Sequence, residues 1–321
     1  SNSTSGGLFI NEATALRITG TGTGISLAGS GANLSIVTQN GSIVVENAIQ
    51  STGKTGTAGQ IGNLLLDARG AGSDIDVRAD ITSTKGSISL ISADAILIDD
   101  QLGGGAPTVQ TSAASETIDL QSAGVITMEA AARLLTNAGN LKLINTTGNT
   151  TLGVISAGDR NVSITSGGSI LDADADALNP QTVNISAAGL RLDAASDIGT
   201  GSNALETKVT TLALNVISGS AYLKETDGLS IGSVAAVSVN RVSTTGTTAP
   251  NSDAGALTGY SVAGNGAAVL TTGGATTIDN ALTAAGSGNI RIDVTGTLGI
   301  NAAVDGGSGN ITILASGAVS Q

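Results

Sequence analysis

Aliphatic residues recur 21 positions apart along this chain of 321 residues. One such interval joins Ile43 to Leu64, and two longer series consist of Leu141, Val162 and Val183, and of Val269, Ile290 and Ile311. A period near 20 residues that begins with a short strand phrase is typical of a solenoid, in which each coil stacks on the previous one. The sequence therefore predicts vertical columns of aliphatic side chains, one of them formed by Leu141, Val162 and Val183.

The strand phrases alternate apolar and polar residues, as in the Ile-Ser-Leu of residues 88–90. Period-two alternation predicts strands with one buried and one exposed face. A second strand follows within each coil, after a glycine-rich corner. We therefore predict an all-β fold: a right-handed, single-stranded parallel β-helix (β-solenoid) with about 21 residues per coil, since crossovers between parallel strands are almost always right-handed. About 15 coils would form a rod on the order of 70 Å long.

Asparagine or serine often stands just before the first aliphatic residue of a phrase. In stacked coils such side chains can form hydrogen-bonded ladders along a corner. The positions are Asn33, Ser42, Asn63, Ser87, Asn140, Asn161, Ser169, Asn289 and Asn310.

One segment, residues 128–135, admits two interpretations. Its alanines and the Glu129–Arg133 pair favour a short helix. Its position in the coil requires a strand and a corner, and we favour that interpretation.

We interpret residues 1–321 as one continuous β-solenoid, a fragment of a longer repeat array. Three stretches interrupt the rhythm: 101–116, 172–182 and 241–259. Insertions in a solenoid are extruded as loops on one side, often the side that binds a ligand. We expect extruded loops at these three places.

Composition limits the functions open to the chain. A net charge of −12 and the absence of a basic cluster disfavour nucleic acid as a partner. No apolar run approaches the roughly 20 residues of a membrane-spanning helix. The chain has no Cys and no His, and its aromatic residues are Phe9, Tyr222 and Tyr260. Enzymes that cleave polysaccharides need clustered carboxylates, and aromatic side chains that hold the sugar rings. We therefore expect that this chain is not an enzyme.

The densest acidic run is Asp172, Asp174 and Asp176. On a strand these three carboxylates would share one face, and carboxylate oxygens suit Ca²⁺. The run lacks the glycine and the bidentate glutamate of an EF-hand loop, so a solvated corner is the favoured interpretation. We therefore expect no cofactor and no metal site, with Ca²⁺ at these three aspartates as the less favoured alternative, and no catalytic or cofactor-binding residue is assigned.

Residues 168–172, 184–192 and 197–207 resemble the repeats of very large bacterial exoproteins, the filamentous-haemagglutinin-like β-strand-repeat surface proteins. The resemblance implies a right-handed parallel β-helix, secretion, and a role as adhesin, matrix component or surface fibre. It transfers no functional residue.

The favoured hypothesis is a structural rod of a large secreted or cell-surface bacterial protein, located outside the cell. Its expected partners are cell-surface or matrix components, and its end coils could self-associate by stacking end to end. The alternative is a carbohydrate- or receptor-binding module that uses the extruded loops. A polysaccharide-active enzyme is the third hypothesis.

Overall fold

The fold is a parallel β-solenoid with three strand-bearing faces. The computed structural model describes residues 6–20, 24–29, 31–52, 62–101, 103, 105–175 and 182–321. These residues form strands, turns and bends, with no helix among them. Each strand of a coil pairs in parallel with strands of the neighbouring coils. The predicted fold class is confirmed.

In the amino-terminal half of the chain, up to Asp172, the coil repeats as one longer and two shorter strands. The first face contains β1 (Leu8–Glu12), β4 (Leu34–Thr38), β7 (Leu64–Ala68), β10 (Ile88–Ser92), β13 (Ile118–Ser122), β16 (Leu141–Asn145) and β19 (Asn161–Ser166). The second contains β2 (Leu16–Ile18), β5 (Ile43–Val45), β8 (Ile75–Val77), β11 (Ile96–Ile98), β14 (Ile126–Met128), β17 (Thr150–Leu152) and β20 (Ile170–Asp172). The third contains β3 (Ile25–Leu27), β6 (Ile49–Ser51), β9 (Ile81–Ser83), β12 (Thr108–Thr111), β15 (Arg133–Thr136) and β18 (Val154–Ser156).

Two long strands then join these coils to the carboxy-terminal coils. They are β21 (Ile185–Ala194) and β22 (Leu205–Val216), and each extends over the third and first faces. The next coils contain β23 (Ala221–Glu225), β30 (Ala268–Thr272), β33 (Ile290–Val294) and β36 (Ile311–Ala315), then β24 (Leu229–Ile231), β31 (Thr276–Ile278), β34 (Leu298–Ile300) and β37 (Val319–Ser320), and finally β29 (Tyr260–Val262), β32 (Leu282–Ala284) and β35 (Val304–Asp305). An insertion between β24 and β29 contains β25 (Ser233–Val234), β26 (Ser238–Val242), β27 (Thr248–Ser252) and β28 (Leu257–Thr258).

The register confirms part of the predicted columns. Leu141 and Val162 are partners, as predicted, and so are Ile290 and Ile311. The prediction for Val183 is wrong, because the next partner of Val162 is Leu190. Residues between β20 and β21 lengthen this coil, so the column resumes seven positions later than a constant period requires.

The other two predicted alignments are also wrong. Ile43 stacks on Leu16 and Ile75 in the second face, whereas Leu64 belongs to the first face. Val269 is displaced by one position, and Ala268 is the inward partner of Ile290. Aliphatic phrases open the strands of all three faces, so an interval of 21 residues can join two different faces.

Coil length varies because the corners vary. Neighbouring coils are 21 residues apart at Asn140 and Asn161 but 30 apart at Asn33 and Asn63. The stack therefore has fewer coils than predicted and a length on the order of 60 Å at about 4.8 Å per coil. Residues 128–135 form the end of β14, a corner and the start of β15, which confirms strand plus corner over a helix.

Inside the solenoid, aliphatic rows run from coil to coil as one continuous core. The corners carry the predicted polar ladders. The side-chain oxygen of Asn33 accepts a hydrogen bond from the backbone N–H of Asn63 (2.9 Å). The side-chain oxygen of Asn63 accepts one from the backbone N–H of Ser87 (3.0 Å). Asn140 and Asn161 repeat the arrangement at 3.1 Å. These ladders satisfy backbone groups that the strands leave free at each corner.

Candidate functional site

The outward positions of the first face form a row that is buried although it points away from the core. This outer row consists of Ser35, Leu65, Ser89, Asp119, Lys142, Ser163, Arg191 and Ala213. The pleat directs such side chains toward solvent. Nevertheless Ser89 and Asp119 are fully buried and Lys142 is 2% exposed. Something covers this face.

The cover is the insertion between β24 and β29, residues 233–258, which we call the axial strap. It leaves the solenoid through a narrow neck, where the Gly259 amide donates to the Gly232 carbonyl oxygen at 2.8 Å. Beyond the neck β25 pairs antiparallel with β28, and β26 with β27. The strap is thus a long antiparallel hairpin, whereas all other pairings between the named strands are parallel.

The axial strap lies along the stack and points back toward the amino-terminal coils. Arg191 donates to the Gly255 carbonyl oxygen at 2.5 Å near the neck, and Asn63 donates to the Gly246 carbonyl oxygen at 2.8 Å at the tip. Nine residues of extended chain span about 30 Å, which matches about six coil spacings. The hairpin is therefore long enough to reach the coil of Asn33, against which Gly246 lies.

The tip requires a glycine. Gly246 has φ +79°, and a Cβ atom there would lie 2.6 Å from the Asn33 side chain. The turn is closed by the Ser243 amide, which donates to the Thr247 carbonyl oxygen at 2.8 Å. Only a residue without a side chain adopts this conformation against the solenoid without strain.

A second apolar layer lies between the strap and the outer row. Val234, Val237, Val239 and Val242 of the strap are at most 3% exposed, and Leu65 of the outer row is 1% exposed. None of these residues belongs to the central core. Burial of these side chains provides the hydrophobic part of the strap's attachment.

Asp253 carries the first charged contact beneath the strap. One carboxylate oxygen is 3.0 Å from the Lys142 ammonium nitrogen, and the other is 3.2 Å from Nε of Arg191. The three side chains are between 3% and 10% exposed. The same carboxylate accepts the Val237 amide at 3.0 Å. One anion of the strap thus neutralises two cations contributed by different coils.

Asp119 carries the second charged contact, with the charges reversed. Its carboxylate accepts Nε of Arg241 at 2.7 Å and Nη2 of Arg241 at 3.3 Å. Asn251 on the neighbouring strand donates to the same carboxylate at 3.1 Å. This fork-shaped pairing fixes direction as well as distance.

Hydroxyl groups of the solenoid complete the attachment. The backbone N–H of Asn240 donates to Thr117 Oγ1 at 2.7 Å, and the backbone N–H of Val242 donates to Ser89 Oγ at 2.9 Å. These amides lie on the edge of β26 that does not pair with β27. The solenoid therefore takes the place of a third strand for β26.

These contacts change the interpretation of residues 241–259. The predicted loop lacks the first eight residues of the insertion, 233–240, and it lies on the solenoid instead of projecting from it. The Val-Ser-Val phrase of residues 237–239 alternates like a coil strand, but it belongs to β26 and to the residue before it. The two valines of this phrase are buried, as its alternation predicts, but they lie against the outer surface of the first face and not in the central core.

The other two predicted loops are only partly described. In 101–116, Thr108–Thr111 is the regular third-face strand β12, and residues 102 and 104 lie outside the described residues. In 172–182, residues 176–181, including Asp176, lie outside the described residues. Asp172 accepts Asn184 Nδ2 at 2.5 Å and the Asp174 amide at 2.9 Å. Among the described residues no three acidic side chains are grouped to hold a metal ion.

A buried carboxylate was missed by the sequence analysis. Glu225 ends β23, is 1% exposed, and accepts Thr207 Oγ1 at 2.8 Å and the Val209 amide at 3.1 Å. Its register partners Thr207 and Thr272 carry hydroxyl groups, so the two adjacent coils place a neutral polar residue where this coil has a carboxyl group. Burial raises the pKa of Glu225 to about 7, against the lowering effect of these hydrogen bonds.

A polar cleft of about 410 Å³ borders the strap. Asp159, Arg160 and Asn161 lie on its solenoid side and Asn240 on its strap side. Much of its hydrogen-bonding capacity is already used, since Asn140 donates to the Ser238 carbonyl oxygen at 2.9 Å. Arg160 is the exposed cation of the cleft.

The chain matches no protein-family model, no curated protein and no solved structure. In the described part of the chain, no helix has the length and apolar character needed to cross a membrane.

Proposed function

We propose that this chain is a structural rod segment of a large secreted or cell-surface bacterial protein, serving as an adhesin shaft, matrix component or extracellular fibre subunit. The observation that carries the proposal is the uninterrupted register of the first face, from Leu8 through Leu141 to Leu212. A load along such a stack is shared by many parallel backbone ladders and a continuous core.

The axial strap supports the same proposal. The long insertion is used to cover and tie the coils, whereas a binding loop would extend into solvent. The net charge of −12 keeps neighbouring rods apart. The resemblance to bacterial exoprotein repeats adds secretion and the cell surface.

Electron microscopy of the source cells tests the proposal. Antibodies raised against the purified chain and coupled to gold should label thin fibres or stalks outside intact cells. Labelling confined to the cell interior, or to compact particles, would overturn it. Cells from which the gene is deleted provide the control.

A second candidate function is a carbohydrate- or receptor-binding module, and the polar cleft beside the strap favours it. Removing the strap would also expose the outer row, so deletion is a poor test of binding. Arg160→Ala is the sharper variant, because this exposed side chain can be removed without touching the core. A glycan-array signal that this variant loses, and that Arg291→Ala retains, would support the cleft.

A further inference from the structure

We infer that the axial strap is a longitudinal clamp that makes the coils beneath it fold and unfold as one cooperative unit. In a bare solenoid each coil contacts only its neighbours, so stability is a sum of nearest-neighbour terms and the ends can unravel alone. The inference concerns how the stack is held together, and it holds whichever function the rod serves.

The contacts of the strap reach far beyond a neighbouring coil. Coil-to-coil bonds in the asparagine ladder join residues 21 to 30 positions apart. The strap bonds at Ser163, Asp119 and Asn63 join residues 90, 122 and 183 positions apart. Every coil from that of Asn63 to that of Arg191 thus shares one hairpin, and opening any of them disturbs contacts with the strap.

The arrangement of charge fixes which coil meets which part of the strap. Asp253 must lie above two cations, and Arg241 must lie above an anion two coils or more away. Asp253 lies over Ser163, whose hydroxyl group donates to it at 3.3 Å, between Lys142 and Arg191 in the outer row. Sliding the strap by one coil would move Asp253 away from Lys142 or from Arg191, and would move Arg241 away from Asp119. Buried charges without partners are strongly destabilising, so the strap has one favoured position.

The next coil supplies a matched way to remove the clamp. Ile231 and Tyr260, which flank the insertion, are register partners of Ile278 and Leu282. Those two residues are joined by Asp279, Asn280 and Ala281 alone. Replacing residues 232–259 with this Asp-Asn-Ala connection removes the strap and keeps both flanking strands in phase.

Urea unfolding followed by hydrogen exchange and mass spectrometry tests the clamp. In the full chain, peptides from β7 to β22 should lose protection in one transition with a common midpoint. In the strapless variant, peptides from β7 and β10 should open at lower urea than those from β30 and β33. One unchanged transition with the same midpoint and slope would overturn the inference.

Native-state exchange of the unmodified chain keeps the test independent of whether the variant folds. The amides of Asn240 and Val242 should exchange at rates within about tenfold of those in β13, and with the same urea dependence, because clamp and coils open together. Fast exchange of the peptide 238–244 at low urea, while β13 stays protected, would show a loosely attached loop and overturn the clamp.

Discussion

At the scale of the residue, Glu225 makes stability depend on pH in an unusual direction. Its folded pKa is about 7, above the ordinary value for a glutamate. A raised carboxyl pKa means that the folded state holds the proton more tightly than the unfolded state. Its contribution is therefore largest below about pH 4.5 and is lost as pH rises through 7.

We expect Glu225→Gln to remove this dependence. The free energy of unfolding of the variant relative to the parent should rise between pH 5 and pH 8 by at most about 3 kcal/mol, since one pKa unit is equivalent to about 1.4 kcal/mol. Urea unfolding at both pH values measures it. Asp159→Asn, at an exposed site, is the control, and an equal difference at both pH values would contradict the prediction.

Gly246 provides a second residue-scale prediction. Gly246→Ala should detach the tip of the strap, because the new methyl group meets Asn33 and the backbone has a positive φ. We expect a loss on the order of 1–2 kcal/mol. The bond from Asn63 to the Gly246 carbonyl oxygen should open as well, which exchange of the 243–248 peptide would report. Gly255→Ala, which has open space around it, is the matched control.

At the scale of the element, the strap depends on Asp253. Asp253→Ala leaves Lys142 and Arg191 buried without an anion, and removing one partner of a buried ion pair costs about 3–5 kcal/mol. Denaturant unfolding should show a loss of that size. Asp293→Ala, in the exposed pair with Arg291, should cost less than about 1 kcal/mol.

A triple variant separates attraction from burial. Replacing Asp253, Lys142 and Arg191 together by leucine or methionine removes all three charges and should recover most of the lost stability. The strap would then be positioned by the Arg241–Asp119 pair and by its apolar contacts. A triple variant as unstable as Asp253→Ala would mean that the three charges attract each other strongly enough to exceed their burial cost.

The sequence predicts some elements well because their signals are local. Alternation and the asparagine before each phrase are properties of a few neighbouring residues, and they located the strands and corner ladders around Asn140 and Asn161. The axial strap escaped prediction because its partners are remote. Nothing near Asp253 indicates Lys142 or Arg191, and the valines of β26 have the same alternation as a coil strand.

Glu225 illustrates the same limit inside the coil. A single glutamate at the end of a strand resembles a solvated residue until the register shows threonines at the equivalent positions of adjacent coils. The column error at Val183 arose likewise from a corner of unpredictable length. The local sequence pattern shows that a segment is a strand. Only the stacked structure shows which coil and which face of the solenoid the strand belongs to.

At the scale of the whole molecule, the clamp predicts that two coils of equal length are not equally dispensable. Residues 141–161 and 290–310 each form one period of 21 residues, bounded by register partners. Deleting either joins asparagine to an aliphatic residue in phase and removes one coil. The nearest-neighbour cost of the two deletions should be similar, because each removes one stacked interface.

The deletions differ in their relation to the strap. Deleting 290–310 removes a coil beyond the strap, whereas deleting 141–161 removes Lys142 and moves Asp119 one coil, about 4.8 Å, relative to Arg241. We therefore expect the second deletion to lower the urea midpoint clearly more and to broaden the transition. Equal midpoints and slopes would mean that the coils respond only to their neighbours. In a strapless background the difference should shrink, because both deletions then act on a simple stack.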